Sequence, residues 1–507
     1  MPSSRPEQPD LPATATVATR SAGILVAVLV LAEIVSAFES SMVFVAIPRF
    51  MEVFDASAAD VGWTLTAFLL VTAASAVLAG RLGDIYGRKK VLVLVLALSA
   101  VGSVVSVLGD SLGMVIAGRA LQGVAGGIMP LCFGIARASL PRERVPFAVA
   151  MIAGSALIAG AAGSVISGVL IDVADWHWIF VVAAVFATVA ALVVGRIIPR
   201  DSAPAARPRV DWLGAILLPI GVGAALLAVT EGNKRGWLSS PIVILFVLSA
   251  VLLASWYGWQ RKSASPLFDV RLLARRDLGS AYVITILLAV GVMGLTPVLT
   301  PIILQTPVAA PVGLGMSASA AGYVFAGSAV VGFLAAPFSG KVAARFGAAR
   351  AVMIGTVLLV LGMSLFALGR GSVAGVIVSS VILAVGTGFA YTALPNLVVE
   401  SVSAERTGEA TGFATLLRGT FNAVSAAVVG ALLASGIVSG TTYSTSGAYN
   451  LVFGLGIACC VAALVVTATL PARRLTDETA SGESASSRDL VDKLDGSNTV
   501  KHITRSL

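Results

Sequence analysis

Charge is scarce in this chain. Asp, Glu, Lys and Arg make up 12% of its 507 residues, about half the quarter that a soluble domain spreads over its surface. So few charges cannot cover a chain this long, and most of its surface must face something other than water. Histidine and cysteine are scarcer still: His177 and His502, with Cys132, Cys459 and Cys460, are all there are. The cysteines lie in apolar runs without metal-ligand spacing, which argues against a zinc or haem centre and against a disulfide framework. Missing too are a phosphate-cradling glycine loop, a nucleophile–base pair and a basic patch interleaved with aromatics. No metal, cofactor or nucleic acid is therefore expected, and no enzymatic activity. An ATP-driven pump would need a soluble nucleotide domain, yet the longest loop, near 259–278, is short.

What the chain has in abundance is apolar sequence. Apolar residues reach 57% and mean hydropathy is +0.95, and 52 glycines suit helices that pack closely in lipid. A bilayer core of about 30 Å needs about 20 apolar residues per helix. That template gives fourteen candidates, the first six near 22–47, 60–82, 90–109, 113–136, 147–171 and 177–197. Two more lie at 211–230 and 240–259, and six follow near 278–305, 318–340, 350–369, 372–400, 410–437 and 449–469. The first run lacks a small-residue cleavage site and reads as an uncleaved span rather than a signal peptide. Helices are favoured over barrel strands, which would be apolar only at every second position.

The net charge of +8 follows topology. With the N-terminus in the cytoplasm, the outer loops carry only Arg49, Lys234, Arg235 and Arg370, and nearly all other Lys and Arg fall inside. The positive-inside rule then predicts an inner-membrane protein with both termini cytoplasmic. The expected organisation is an N-terminal tail 1–21, a six-helix bundle 22–197, an inserted helix pair with linkers 198–277, a second six-helix bundle 278–470 and a disordered tail 471–507. A short repeat supports two related halves. Gly80, Asp84, Gly87 and Arg88 follow the second span; Gly340, Ala344 and Gly347 follow the tenth at the same spacing. Such halves place a substrate site between them, near mid-membrane.

The same residues carry a family resemblance. Gly80 to Lys90 resembles the loop motif of the major facilitator superfamily, and Arg119, Gln122 and Gly123 resemble its fourth-helix motif. Gly163, Ser164, Ser167 and Gly168, followed by Asp172 and Trp176, resemble the fifth-helix motif of drug–proton antiporters, with Ser164 where that pattern carries Pro. Asp211 to Gly214, and Glu231, Gly232, Gly236 and Trp237, look like the inserted-pair signatures of the fourteen-helix branch. Glu39 stands where that branch has Asp, ahead of Ala46 and Pro48. The resemblance implies an all-α polytopic fold of two pseudo-two-fold six-helix bundles plus an inserted pair. It also implies export of amphipathic small molecules by proton antiport, with the proton gradient in place of a cofactor. The chain is expected to act as a monomer, its partners being a small-molecule substrate, protons and the bilayer. Alternatives are a dedicated exporter of one metabolite or lipid-like product, or a transport-inactive membrane sensor or scaffold.

Candidate sites follow from polar groups deep in apolar spans. A charge there costs about 2.5–3.5 kcal/mol on insertion scales, so it is paired or lines a cavity. Glu39 lies about 12 Å below the outer end of its span and Arg119 about 9 Å below the outer start of its own, at 1.5 Å per residue. We expect Glu39 to carry the coupling proton and Arg119 to tune it, because desolvation and a nearby guanidinium act oppositely on a carboxyl's proton affinity. A static ion pair is the alternative. Glu33 is the rival carrier; it sits about 240° round the helix from Glu39, so the two cannot share a face. Arg418 and Asn422, one turn apart, could meet an anionic group or merely bond neighbouring carbonyls, and Gln122 is a candidate cavity group. In the resembling family the Gly80–Arg88 segment latches the cytoplasmic side, with Asp84 near a helix start; the basic residues there could equally be topology charges. Gly163, Ser164, Ser167 and Gly168 form a small-residue patch for close helix packing.

Overall fold

A computed structural model describes residues 13–470 apart from 57, 200–210, 264, 265, 267, 317, 439, 440 and 442. The tail expected over 471–507, the start of the N-terminal one and much of the linker after 198 lie outside the described residues. Among the described residues the chain is helical, with one isolated bridge between Ile437 and Ser444. Fourteen spans are long and apolar enough to cross a membrane. They are α1 Ala22–Ser41, α2 Asp60–Tyr86, α3 Arg88–Val107, α4 Leu112–Ser139, α5 Arg142–Ile171, α6 His177–Ile197 and α7 Trp212–Val229. The rest are α8 Ser240–Lys262, α9 Arg276–Gln305, α10 Ala320–Phe346, α11 Ala348–Gly369, α12 Val373–Glu400, α13 Thr407–Ala434 and α14 Ser446–Ala468.

Several boundaries shift by a few residues from the sequence expectation, and two of the shifts have a clear local reason. The helix containing α1 starts at Ala13 and ends at Ser41 rather than spanning 22–47. The Ser40 and Ser41 hydroxyls turn back onto the Ala37 carbonyl, at 2.7 and 3.2 Å, a local bond that competes with the helical ladder. A two-turn helix, Ile47–Val53, then restarts with Pro in its first turn, where a missing N–H matters least. The Gly80–Lys90 segment, in turn, is hardly a loop. α2 runs unbroken to Tyr86 and α3 begins at Arg88, so one residue, Gly87, makes the reversal at φ 101°. Gly347 repeats it between α10 and α11 at φ 88°. A side chain at such φ is strained by about 1–3 kcal/mol. We expect Gly87→Ala to lower the melting temperature in detergent measurably, whereas Gly160→Ala, whose added methyl meets nothing within 4 Å, should leave it unchanged.

Helices α1–α6 pack chiefly on one another, and α9–α14 do the same; the halves meet through α2 against α13 and α5 against α10. The repeat glycines explain how they meet. A Cβ at Gly80 would lie 2.3 Å from the Gly408 carbonyl oxygen of α13, and one at Gly340 would lie 2.9 Å from the Phe147 Cα of α5. Each half thus presses the end of its second helix onto the first turns of the other half's fifth. The inserted pair belongs to the second half's core: Leu218 and Val222 of α7 and Trp256 of α8 join its apolar cluster.

Candidate functional site

Helices alternate in direction, so the molecule has two ends: the one carrying Gly87 and Gly347, here the latch end, and its opposite. A cavity of about 490 Å³ lies between the halves and is lined at depth by Glu33, Met129, Tyr391 and Arg418. Ser40 and Trp63 line it toward the opposite end, where α1 finishes and α2 starts. Glu33 is 2% exposed, and its Oε2 has no hydrogen-bond partner among the described residues. Arg418 lies over the Tyr391 ring, 4.3 Å from its centroid, and points an N–H at the Met129 thioether, 3.5 Å away. A ring face and a thioether are soft, weak acceptors, so this guanidinium keeps hydrogen-bonding capacity for a ligand. Asn422, one turn further along α13, does not line the cavity; its backbone packs against Gly294. The joint anion site expected of Arg418 and Asn422 therefore reduces to Arg418.

Glu39 sits elsewhere. It is fully buried inside the first half, where its carboxylate accepts from Ser99 at 2.5 Å and from Ser103 at 3.4 Å. Arg119 reaches the same level, as the depth estimate requires, but donates to the Glu39 backbone carbonyl at 2.9 Å instead of its carboxylate. It also donates to Gln122 Oε1 at 2.9 Å and the Thr64 carbonyl at 3.3 Å, and it covers Phe68 at 4.0 Å. Gln122 then passes a hydrogen bond to Ser103 at 2.7 Å. Gln122 is thus a link in a buried polar chain across α1, α3 and α4, not a cavity group, and within that chain Glu39 Oε2 and Arg119 Nη2 have no hydrogen-bond partner among the described residues. Bonds to a charged group are worth about 1.5–3 kcal/mol each, which is how an arginine with no solvent exposure is tolerated here. The α1 register explains the split between the acids: Glu33 and Glu39 point to different sides, one into the cavity and one into the bundle.

The latch end is closed. Asp84 Oδ1 accepts from Arg88 at 2.8 and 3.0 Å, and Arg88 also donates to the Gly134 carbonyl at 3.0 Å. Asp84 Oδ2 accepts from the Glu409 amide at 3.2 Å, across the two halves. That amide is in the first turn of α13, where free N–H groups and the helix dipole favour an anion. Sequence reasoning missed several further members. Arg137 donates to the carbonyls of Val399 and Val402 and to the Thr407 hydroxyl. Glu409, 2% exposed, faces Arg81 at 3.5 Å and accepts from the Asp269 amide at 2.7 Å; Asp269 in turn pairs with Arg406 at 3.1 Å. Asn396 joins the halves as well, donating to the Pro146 carbonyl at 3.0 Å. In the sequence Arg137 is one of many sidedness charges, and an acid in a first helical turn is an ordinary capping choice. Neither carries a signal of cross-half contact.

The helix-five patch seats on α1. A Cβ at Gly163 would fall 2.3 Å from the Ser41 hydroxyl oxygen and one at Gly168 would be 3.6 Å from Val45. Ser164 donates to the Ser41 carbonyl at 3.5 Å, and the buried Ser167 hydroxyl has no partner among the described residues. The turn that ends α1 is therefore locked onto α5 by small residues.

Two helical halves around a central cavity, closed at one end and embedded by fourteen apolar spans, define a multi-pass membrane transport protein. The chain belongs to the Major Facilitator Superfamily, whose family model matches residues 29–268 and 281–504, and its fourteen spans accord with the fourteen-helix drug–proton antiporter branch. It is 29% identical over 360 residues to a uridine/deoxyuridine transporter of Lactococcus lactis, covering 68% of this chain and 72% of that one. It is 27% identical over 366 residues to a multidrug resistance protein B homolog of Mycobacterium tuberculosis, covering 69% of this chain but only 63% of the relative, a little under two thirds of its length. Over 406 residues it is 27% identical to a tetracenomycin C resistance and export protein of Streptomyces glaucescens, covering 79% and 73% of the two chains. The fold matches a solved proton:xylose symporter at a TM-score of 0.61 and 12% identity, over 87% of this chain and 95% of that one.

Proposed function

We propose that this protein exports amphipathic small molecules from the cell in exchange for protons, by alternating access. The observation that carries the reading is the placing of Glu33: a buried carboxyl on the floor of a cavity that is sealed at the end where Lys and Arg collect. The positive-inside rule puts that end, and both chain termini, in the cytoplasm of a cell-membrane protein. The cavity then faces outward, the state in which substrate leaves and protons arrive. Glu33 suits the exchange because a proton and a cationic group compete for one carboxylate, so each displaces the other. Arg418 opposite it attracts anionic substituents and limits how long the carboxylate holds a cation. Glu39, which the sequence favours as carrier, is closed off from the cavity and serves through Arg119 and Gln122 to hold α1 against α3 and α4. Dedicated export of one product is the second reading, favoured by the extent of similarity to the tetracenomycin export protein.

The test is transport in proteoliposomes containing the full chain. With an acidic pH on the face that receives substrate, a lipophilic cation such as ethidium should accumulate there against its gradient. A protonophore should abolish that accumulation. Accumulation indifferent to the protonophore overturns proton coupling; no flux of any of a panel of amphipathic drugs overturns broad export and leaves the dedicated reading.

A further inference from the structure

We propose that α7, the first helix of the inserted pair, is a working wall of the transport cavity and selects the organic cations it accepts, a proposal that rests on the export reading above. At the latch end α2 and α13 touch, a Cβ at Gly408 lying 2.6 Å from the Gly80 carbonyl oxygen, and the contact runs up to the cavity floor, where a Cβ at Gly412 would lie 2.3 Å from the Ala76 carbonyl oxygen. Further from that end the same helices have parted and turn Leu69 and Arg418 to the cavity. Two splayed helices leave a seam, and α7 lies in it, packed on both, with a Cβ at Gly223 only 3.2 Å from Leu70. Leu226 and Leu227, and Glu231 where the helix continues past the span to Arg235, then line the cavity itself; the Glu231 carboxylate accepts from Arg235 at 2.9 Å. Positions 223, 227 and 231 recur every fourth residue and so share one face.

The base of the wall is pinned. Asp211 caps α7 by accepting from the Gly214 amide at 2.9 Å and ties it to α8 by accepting from Trp259 Nε1 and Gln260 Nε2, both at 2.8 Å. The Trp256 ring of α8 stacks on Phe413 of α13, centroids 6.2 Å apart. A helix fixed to the second half but facing the cavity moves with that half, so its lining residues change the cavity's width during the cycle. Chemically the wall adds two leucines to the cavity that Leu69 also lines, and near the rim a carboxylate, paired with Arg235 in this state, for which an incoming cation competes. That combination fits a cation with a bulky apolar body: the body against the leucines, the charge between two carboxylates.

The experiment uses Leu227→Cys and, as a cavity control, Leu69→Cys, each in the full chain in membranes. The native Cys132 and Cys460 are buried and Cys459 is partly so; the wild type gives their background. A water-soluble maleimide is added from the outer face, with and without tetraphenylphosphonium. The proposal expects both variants to label at comparable rates and both to be slowed at least about fivefold by the cation, as an occupied site excludes the reagent. Glu231→Gln should raise the half-saturating tetraphenylphosphonium concentration about tenfold, equivalent to losing one close charge contact, a larger change than for a neutral substrate; an equal change for both overturns the charge contact. Labelling at Leu69→Cys without labelling at Leu227→Cys overturns the wall, and so does protection of Leu69→Cys alone. If both label and neither is protected, the cation reading of the cavity falls, while α7's place in the wall is upheld by the labelling.

Discussion

Glu33→Gln should abolish proton-driven accumulation of substrate while leaving downhill flux measurable. A pH difference of two units supplies about 2.7 kcal/mol per proton, enough to sustain roughly a hundredfold concentration ratio at one proton per substrate. Glutamine keeps the volume and polarity of the side chain but cannot take up or release a proton, so the ratio should collapse to about one. The measurement is the steady-state ratio of a lipophilic cation across proteoliposomes under an imposed pH gradient. Glu39→Gln is the informative companion. The amide can still accept from Ser99 and Ser103, and the Arg119 bond is to the backbone carbonyl of residue 39. Accumulation in that variant should persist, at a reduced rate. The reverse pattern, Glu33→Gln intact and Glu39→Gln uncoupled, would return the proton to Glu39 and show that the buried network opens during the cycle.

Gly80→Leu should hold the latch end open. Even a Cβ there would stand 2.3 Å from the Gly408 carbonyl oxygen, and that neighbour is backbone that cannot swing aside. Forcing extra atoms into such a contact costs about 1–3 kcal/mol or more, which lowers the population of the closed arrangement by roughly ten- to a hundredfold. The strain exists only when the two halves are together at this end, so the variant should fold and insert normally. Labelling of Leu69→Cys from the outer face should slow at least tenfold, and transport should fall in proportion. Loss of the Asp84 contact to the Glu409 amide acts in the same direction, because the anion and the helix terminus part together. Gly160→Ala again serves as the silent control. Unchanged labelling in Gly80→Leu would mean that this approach of α2 and α13 is not what seals the cavity.

How much of this was readable beforehand differs from feature to feature. Fourteen spans, their alternation and the repeat are local matters of length, hydropathy and glycine spacing, and each is found again in the helices. Asp84 and its glycines were recognisable because a single positive-φ residue and a close helix contact both demand glycine. Even there the sequence misjudged the setting, reading as a loop a segment that is helix up to Tyr86. Ser99 and Ser103, which hold Glu39, looked like ordinary small residues of a membrane helix. Glu409 and Arg137 looked like ordinary helix-end charges.

What the sequence by itself determined was therefore the number, length and pairing symmetry of the helices, together with a short roster of ionisable groups that a bilayer would not admit without a purpose. The tertiary structure decided which of them meet. It turned Glu33 to the cavity and Glu39 into the bundle, drew Gln122 into a buried network, left Arg418 without Asn422, and brought α7 to the cavity wall. The physical reason is rotational. A helix apolar on every side has no amphipathic stripe to announce its inward face, so the direction of each polar side chain is set only when neighbouring helices press against it.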